Sequence, residues 1–174
     1  MKEFVTIRNA RPKEFETIGK LMVSVYSKLP EFPQPEEQPH YYDKLLHVGK
    51  LTNNESTELL VALNTLEEII GAVVYFSDMK DYGSGGSATT LTHASGFRLL
   101  AVSPKARGKG VGRLLCEACI EKTKKHHNKT LIIHSTKAMK VAWNMYERMG
   151  FTRFKEIDFL QGDLEVYGFK LNIK

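Results

Sequence analysis

The residues between Gly96 and Leu115 combine the types that hold an anion without a metal. The run Phe97-Arg98-Leu99-Leu100-Ala101-Val102, bounded by Gly96 and Pro104, predicts a buried strand over 97–102. A short basic turn follows, Lys105 to Lys109, and then a helix with apolar residues at Val111, Leu114, Leu115 and Ala118. Gly108, Gly110 and Gly112 fall on the turn and the first helical turn. Glycine reaches positive φ there and lets a ligand approach bare backbone. The unpaired N–H groups of a helix start carry partial positive charge and suit an anion. Arg107, Lys109 and Arg113 add full charges beside them. The physical reading is a diphosphate cradle made mostly of main chain; the competing one is a tight strand-to-helix turn with solvated cations. No Gly-x-x-x-x-Gly-Lys-Ser/Thr occurs, which disfavours a Walker loop. Gly108-Lys109-Gly110-Val111-Gly112 lacks the wider second spacing of a dinucleotide fingerprint, and no clear acidic partner closes a following strand.

Cys116 and Cys119 sit three apart inside that helix. The spacing suits zinc or redox work, but no second pair exists, so the pair reads as small buried hydrophobes. Of six histidines, His93 stands just before the central strand and His134 at the end of another, and both are candidate bases. The competing reading of His93 is a loop residue without a role. His40, His47, His126 and His127 read as surface residues.

The elements around the cradle follow from periodicity and breakers. Phe4 to Asn9 alternates as a first strand. Pro12 opens a helix with Phe15, Ile18, Leu21, Met22, Val25 and Leu29 at helical spacing, although Arg11 is a poor cap. Pro30, Pro33, Pro35 and Pro39 impose an acidic loop over 29–39, and Tyr41 to Val48 forms a short second helix. Glu58–Leu63 and Ile69–Phe76 are strands joined by a hairpin turn. The stretch 77–95 is a long polar loop, either mobile or functional. Beyond the cradle helix, Leu131 to Ile133 is a buried strand, and Ser135 or Thr136 caps a helix with Ala138, Ala142, Met145 and Met149 inward. Gly150 stops that helix, and 151–159 with 164–173 make a closing hairpin. The sum is a mixed α/β sheet with helices packed on it.

The totals narrow the classes. A length of 174 residues suits one domain, and 42% hydrophobic with 26% charged residues is ordinary for a soluble globule. No run of about 18 apolar residues exists, so no membrane partner is expected. Met1-Lys2-Glu3-Phe4 lacks a leader's apolar region, and the expected location is cytoplasmic. The net charge of +5 is scattered, without a basic run interleaved with aromatics, so a phosphate-bearing small ligand explains it better than nucleic acid.

Arg107-x-x-Gly110-x-Gly112, after a strand ending Leu100-Ala101-Val102, resembles the acetyl-CoA signature of the GNAT N-acetyltransferases. A second block, Ala142 to Phe151 with Ala-x-x-x-Tyr and a terminal Gly-Phe, resembles that family's second motif. The resemblance implies a mostly antiparallel twisted sheet of about seven strands, flanked by about four helices and splayed between the fourth and fifth strands. It implies acetyl-CoA held by Leu100, Ala101, Val102, Arg107, Gly108, Lys109, Gly110, Val111, Gly112 and Arg113, with the pantetheine arm pairing to the main chain of Leu100 and Val102. Tyr146 would give a proton to the departing thiolate, since a phenol near pKa 10 is protonated at neutral pH. One departure stands out: Met139 occupies a position where many relatives carry a cofactor-contacting Asn. The implied reaction is acetyl transfer to a primary amine that attacks the thioester directly; an acyl-CoA-binding sensor or scaffold is the alternative. Deprotonating an amine of pKa near 10 at pH 7 costs about 4 kcal/mol, and the strand 97–102 offers no acid to help. Glu31, Glu36 and Glu37, with Asp158 and Asp163, would favour a small cationic amine or a peptide amine as acceptor. The sequence leaves the oligomeric state open, a homodimer included.

Overall fold

The computed structural model describes residues 4–174; Met1 to Glu3, part of the N-terminal stretch read above, lie outside them. The α-helices and strands, in chain order, are β1 (Thr6–Asn9), α1 (Phe15–Ser27), α2 (Pro39–Leu46), β2 (Thr57–Leu63), β3 (Ile69–Phe76), β4 (Ala94–Val102), α3 (Val111–Lys125), β5 (Thr130–Ser135), α4 (Lys140–Arg148), β6 (Thr152–Arg153), β7 (Phe159–Gln161) and β8 (Leu164–Asn172). Strand order is β1-β2-β3-β4-β5-β8-β6, with β7 on β8. The sheet is mostly antiparallel, as in β1–β2, β5–β8 and β6–β8, while β4 and β5 run parallel. Among the described residues no helix is long and apolar enough to cross a membrane.

The chain forms two compact units: residues up to Val74 with Leu99–Ala118, and Tyr75–Arg98 with Cys119–Lys174. It passes from one to the other inside β3, inside β4 and inside α3.

In the first unit, β1 pairs β2 from Thr6↔Leu63 to Asn9↔Leu60. The poor cap at Arg11 has a remedy in space. The Glu14 carboxylate accepts the Arg11 backbone N–H at 2.7 Å and pairs with Arg8 at 2.6 Å. Those contacts hold Glu14 at a pKa of about 2, chiefly through the Arg8 guanidinium. α1 buries Ile18, Met22, Val25 and Tyr26, and α2 buries Tyr42 and Leu45. The proline-rich loop between them is folded: Phe32 is buried, its ring 5.7 Å from that of Tyr26 and 5.8 Å from that of Tyr41.

In the second unit, the register of β4 with β5 runs Ala94↔Thr130 to Gly96↔Ile132, three pairs of a nine-residue strand. The long loop before β4 is packed: Met79, Tyr82 and Ala88 are fully buried, and Asn128 Nδ2 donates to the Ser77 carbonyl and to Ser95 Oγ. The expected strand over 151–159 is broken into β6, a 3₁₀ turn at Lys155–Ile157, and β7. The Asp158 carboxylate is the cause, because it turns back to the Gly168 N–H at 2.7 Å and to Arg153 at 2.7 Å. The expected cap of α4 also fails. Met139 stands at the cap without a side-chain bond, and among the described residues the buried Ser135 and Thr136 hydroxyls have no hydrogen-bond partner. Gly150, at φ +97°, ends α4 as expected. The deepest side chain of α4 is Tyr146, while Ala138, Ala142, Met145 and Met149 are only half-buried.

Candidate active site

The cradle lies in the first unit. After β4, Pro104–Ala106 makes a 3₁₀ turn, and Arg107 enters an extended residue that leads to Gly108. Gly108 and Gly110 take φ +76° and +79°, values that an L side chain rarely adopts. A Cβ built at either glycine meets nothing within 4 Å, so the space over the turn is open. Leu114 N donates to the Gly110 carbonyl at 3.1 Å, which leaves the Val111, Gly112 and Arg113 N–H groups at the positions a helix start cannot pair internally. Arg107 and Lys109 are exposed beside them, and the exposed Arg113 is tied to Glu117 at 2.9 Å. Main-chain donors, open space and cations fit a diphosphate.

β4 supplies the approach to that turn. Leu99 takes φ +59° in mid-strand, three residues past the last pair with β5. A left-handed leucine costs about 1 kcal/mol and re-aims the strand at the residue where the chain enters the first unit. The Leu100 carbonyl accepts from the Tyr26 hydroxyl at 3.2 Å, which keeps one of its lone pairs for another donor. Leu100 and Val102 are half-buried, whereas Ala101 is buried.

Residues 22–151 match the acetyltransferase (GNAT) family. The chain belongs to that family. Membership implies acyl transfer from an acyl-CoA to an amine. Among solved structures, a GNAT acetyltransferase from Staphylococcus aureus Mu50 superposes with a TM-score of 0.75 at 16% identity, covering 98% of this chain and 100% of that one. A spermidine N-acetyltransferase chimera involving Vibrio cholerae gives 0.67 at 18%, covering 97% and 95%. A ribosomal-protein-alanine N-acetyltransferase from Brucella melitensis gives 0.65 at 18%, covering 96% and 99%. At these identities the likeness is one of fold. No curated protein matches the chain.

With the GNAT fold in place, the remaining candidates separate. Tyr146 is 4% exposed in the second unit, its ring 5.9 Å from Phe97 and 5.7 Å from Phe151. It is therefore both a core aromatic and a phenol fixed next to β4. His93 is exposed at φ +55°, and its carbonyl accepts from Lys129 N at 2.8 Å. It stands just before the first residue of β4.

His134 is spoken for. Its Nδ1 accepts the Tyr82 hydroxyl at 2.9 Å and its Nε2–H donates to the Ile157 carbonyl at 2.9 Å. Because a carbonyl only accepts and a phenol supplies the remaining proton, the ring is a neutral Nε2–H tautomer. Burial pulls its pKa down to about 4, with Arg98 adding to the effect. Asp158 is equally committed, to Arg153 and Gly168 N, while Asp163 is exposed. In the acidic loop Glu37 accepts the Gln34 N–H, and Glu31 and Glu36 are exposed. Cys116 and Cys119 are buried and outside any disulfide, and burial pushes the Cys116 thiol up, out of nucleophile range.

Sequence reasoning missed Arg98 and Tyr82. Arg98 was hidden inside an apolar run, and Tyr82 inside a polar loop; the one available signal was a single cation in the middle of a buried strand.

Proposed function

We propose that the chain is one N-acetyltransferase domain that moves an acetyl group from acetyl-CoA to a primary amine, the amine attacking the thioester directly. The observation that carries this is the open turn at Gly108 and Gly110 at the start of α3, flanked by Arg107 and Lys109, in a chain of the GNAT family. In this reading the N–H groups from Gly108 to Arg113 bind the diphosphate, and the main chain of Leu100, Ala101 and Val102 binds the pantetheine arm. The three passages of the chain between the two units, each inside a regular element, support treating 1–174 as a single domain.

Tyr146 gives its phenolic proton to the thiolate as that group leaves, a task for which a neutral donor is needed only late in the reaction. The amine must shed a proton first, at about 4 kcal/mol for a pKa near 10. His93, exposed just before β4, is the candidate base of this reading. His134 has no part in it, because both its nitrogens are bonded. The exposed Glu31 and Glu36 support an acceptor that arrives as an ammonium, a small amine or a peptide amine. Structural neighbours named for spermidine and for a ribosomal-protein alanine span that same range.

The test is thiol release from acetyl-CoA against a panel of amines, alongside calorimetry of acetyl-CoA binding. Amine-dependent thiol release is the expected result. Tight acetyl-CoA binding with no release across the panel would favour the sensor reading instead.

A further inference from the structure

Arg98 is the one charged side chain of β4, and it is half-buried. Its Nη1 donates to the Tyr82 carbonyl at 2.9 Å, and its guanidinium carbon stands 5.6 Å from the centre of the Tyr82 ring. Among the described residues no carboxylate pairs with it, and its other N–H donors meet no protein acceptor. A guanidinium carries five N–H donors in a planar fork, so one bond to a carbonyl leaves most of the fork for water or a ligand.

The second unit nevertheless builds a mount for it. Tyr82 is fully buried, its hydroxyl donates to His134, and His134 in turn donates to Ile157. Three separate segments thus fix the residue on which Arg98 rests. Beside it stands Gly83 at φ +72°, where a Cβ would come within 3.3 Å of Nη1. The loop gives the guanidinium room and one anchor, and leaves the rest of the fork without a partner.

We propose that Arg98 receives a carboxylate of the acceptor. The acceptor is then an amine that also carries a carboxylate, an amino acid or a peptide, rather than a polyamine. This rests on the acyltransferase reading above and narrows its acceptor class. The fork matches two carboxylate oxygens, and anchoring through Tyr82 orders it before the ligand arrives.

The experiment measures binding of N-acetyl amino acids and N-acetyl dipeptides, each against its C-terminal amide, by NMR titration in the presence of coenzyme A. The two series tell a free amino acid from a peptide as the source of the carboxylate. In the wild type each acid is expected to bind about 10- to 100-fold tighter than its amide, the scale of a hydrogen bond to a charged group. Arg98→Gln should bring that ratio close to one, with circular dichroism and coenzyme A binding retained. Arg98→Lys, which keeps the charge without the fork, should cut the ratio and serves if the glutamine variant does not fold. Equal binding of acid and amide by the wild type overturns the proposal without any variant, as does a ratio that survives both substitutions. Thiol release is scored separately. Acid-selective binding without amine-dependent thiol release removes the transferase reading and keeps the role of Arg98. Thiol release that ignores the carboxylate does the reverse.

Discussion

The turn at the start of α3 and the Tyr82–His134–Arg98 cluster are built on opposite plans. The turn is main chain: two glycines at positive φ, a helix start and exposed cations within a few residues of one another. The cluster is side chain: its Tyr82–His134 bond joins residues 52 apart in sequence, and burial decides the protonation state of its histidine. The first can be read as a string, because φ > 0 and missing helix bonds are local properties of residue type. The second cannot, because tautomer, charge and partner depend on which segments fold together.

The contrast implies that substitutions in the second unit act on turnover, stability and the acceptor, and substitutions at the turn act on acetyl-CoA binding. Tyr146→Phe should show the largest effect, a fall of about 10²-fold in kcat with acetyl-CoA affinity nearly intact. Steady-state kinetics and calorimetry together check this, and an unchanged kcat would reduce Tyr146 to its packing against Phe97 and Phe151.

Next comes the acid limb of stability. His134 is neutral in the fold with a pKa of about 4, against about 6.5 when unfolded. The unfolded chain therefore binds more protons, and stability falls as pH drops from about 6.5 toward 4. Urea unfolding across that window should show the wild type losing about 2 kcal/mol more than His134→Asn. Parallel curves for the two proteins would mean that the histidine titrates alike in both states.

At the turn, Arg107→Glu should weaken acetyl-CoA by about 10-fold with melting temperature unchanged, since the side chain is exposed and only the ligand feels it. An equal loss of stability and affinity would break the contrast. The smallest effect is expected at Glu14, whose pKa of about 2 comes from Arg8. A depressed carboxylate stabilises above its unfolded pKa and loses that contribution as pH falls through the folded value. Glu14→Gln should cost about 1 kcal/mol at pH 7 after allowance for solvent screening, and flatten the stability curve between about pH 4.5 and 2.

The sequence by itself determined the parts whose signals are local. β3 spans Ile69–Phe76 as periodicity and the flanking turn predict, and α4 stops at Gly150 because the chain there needs a left-handed residue. Gly108 and Gly110 declare their backbone in the same way. Only the tertiary structure decided the rest. It placed Glu14 under Arg8 to cap a helix that Arg11 could not, and it left Ser135 and Thr136 buried when either looked like a cap. It split the strand at 151–159, because the Asp158 carboxylate found Gly168 N and Arg153. It also took Asp158 and His134 out of the set of available acids and bases, and it left the Arg98 fork largely without a protein partner. A side chain's charge and bonds are settled by burial and by neighbours from distant segments, and composition and spacing do not encode those pairings one residue at a time.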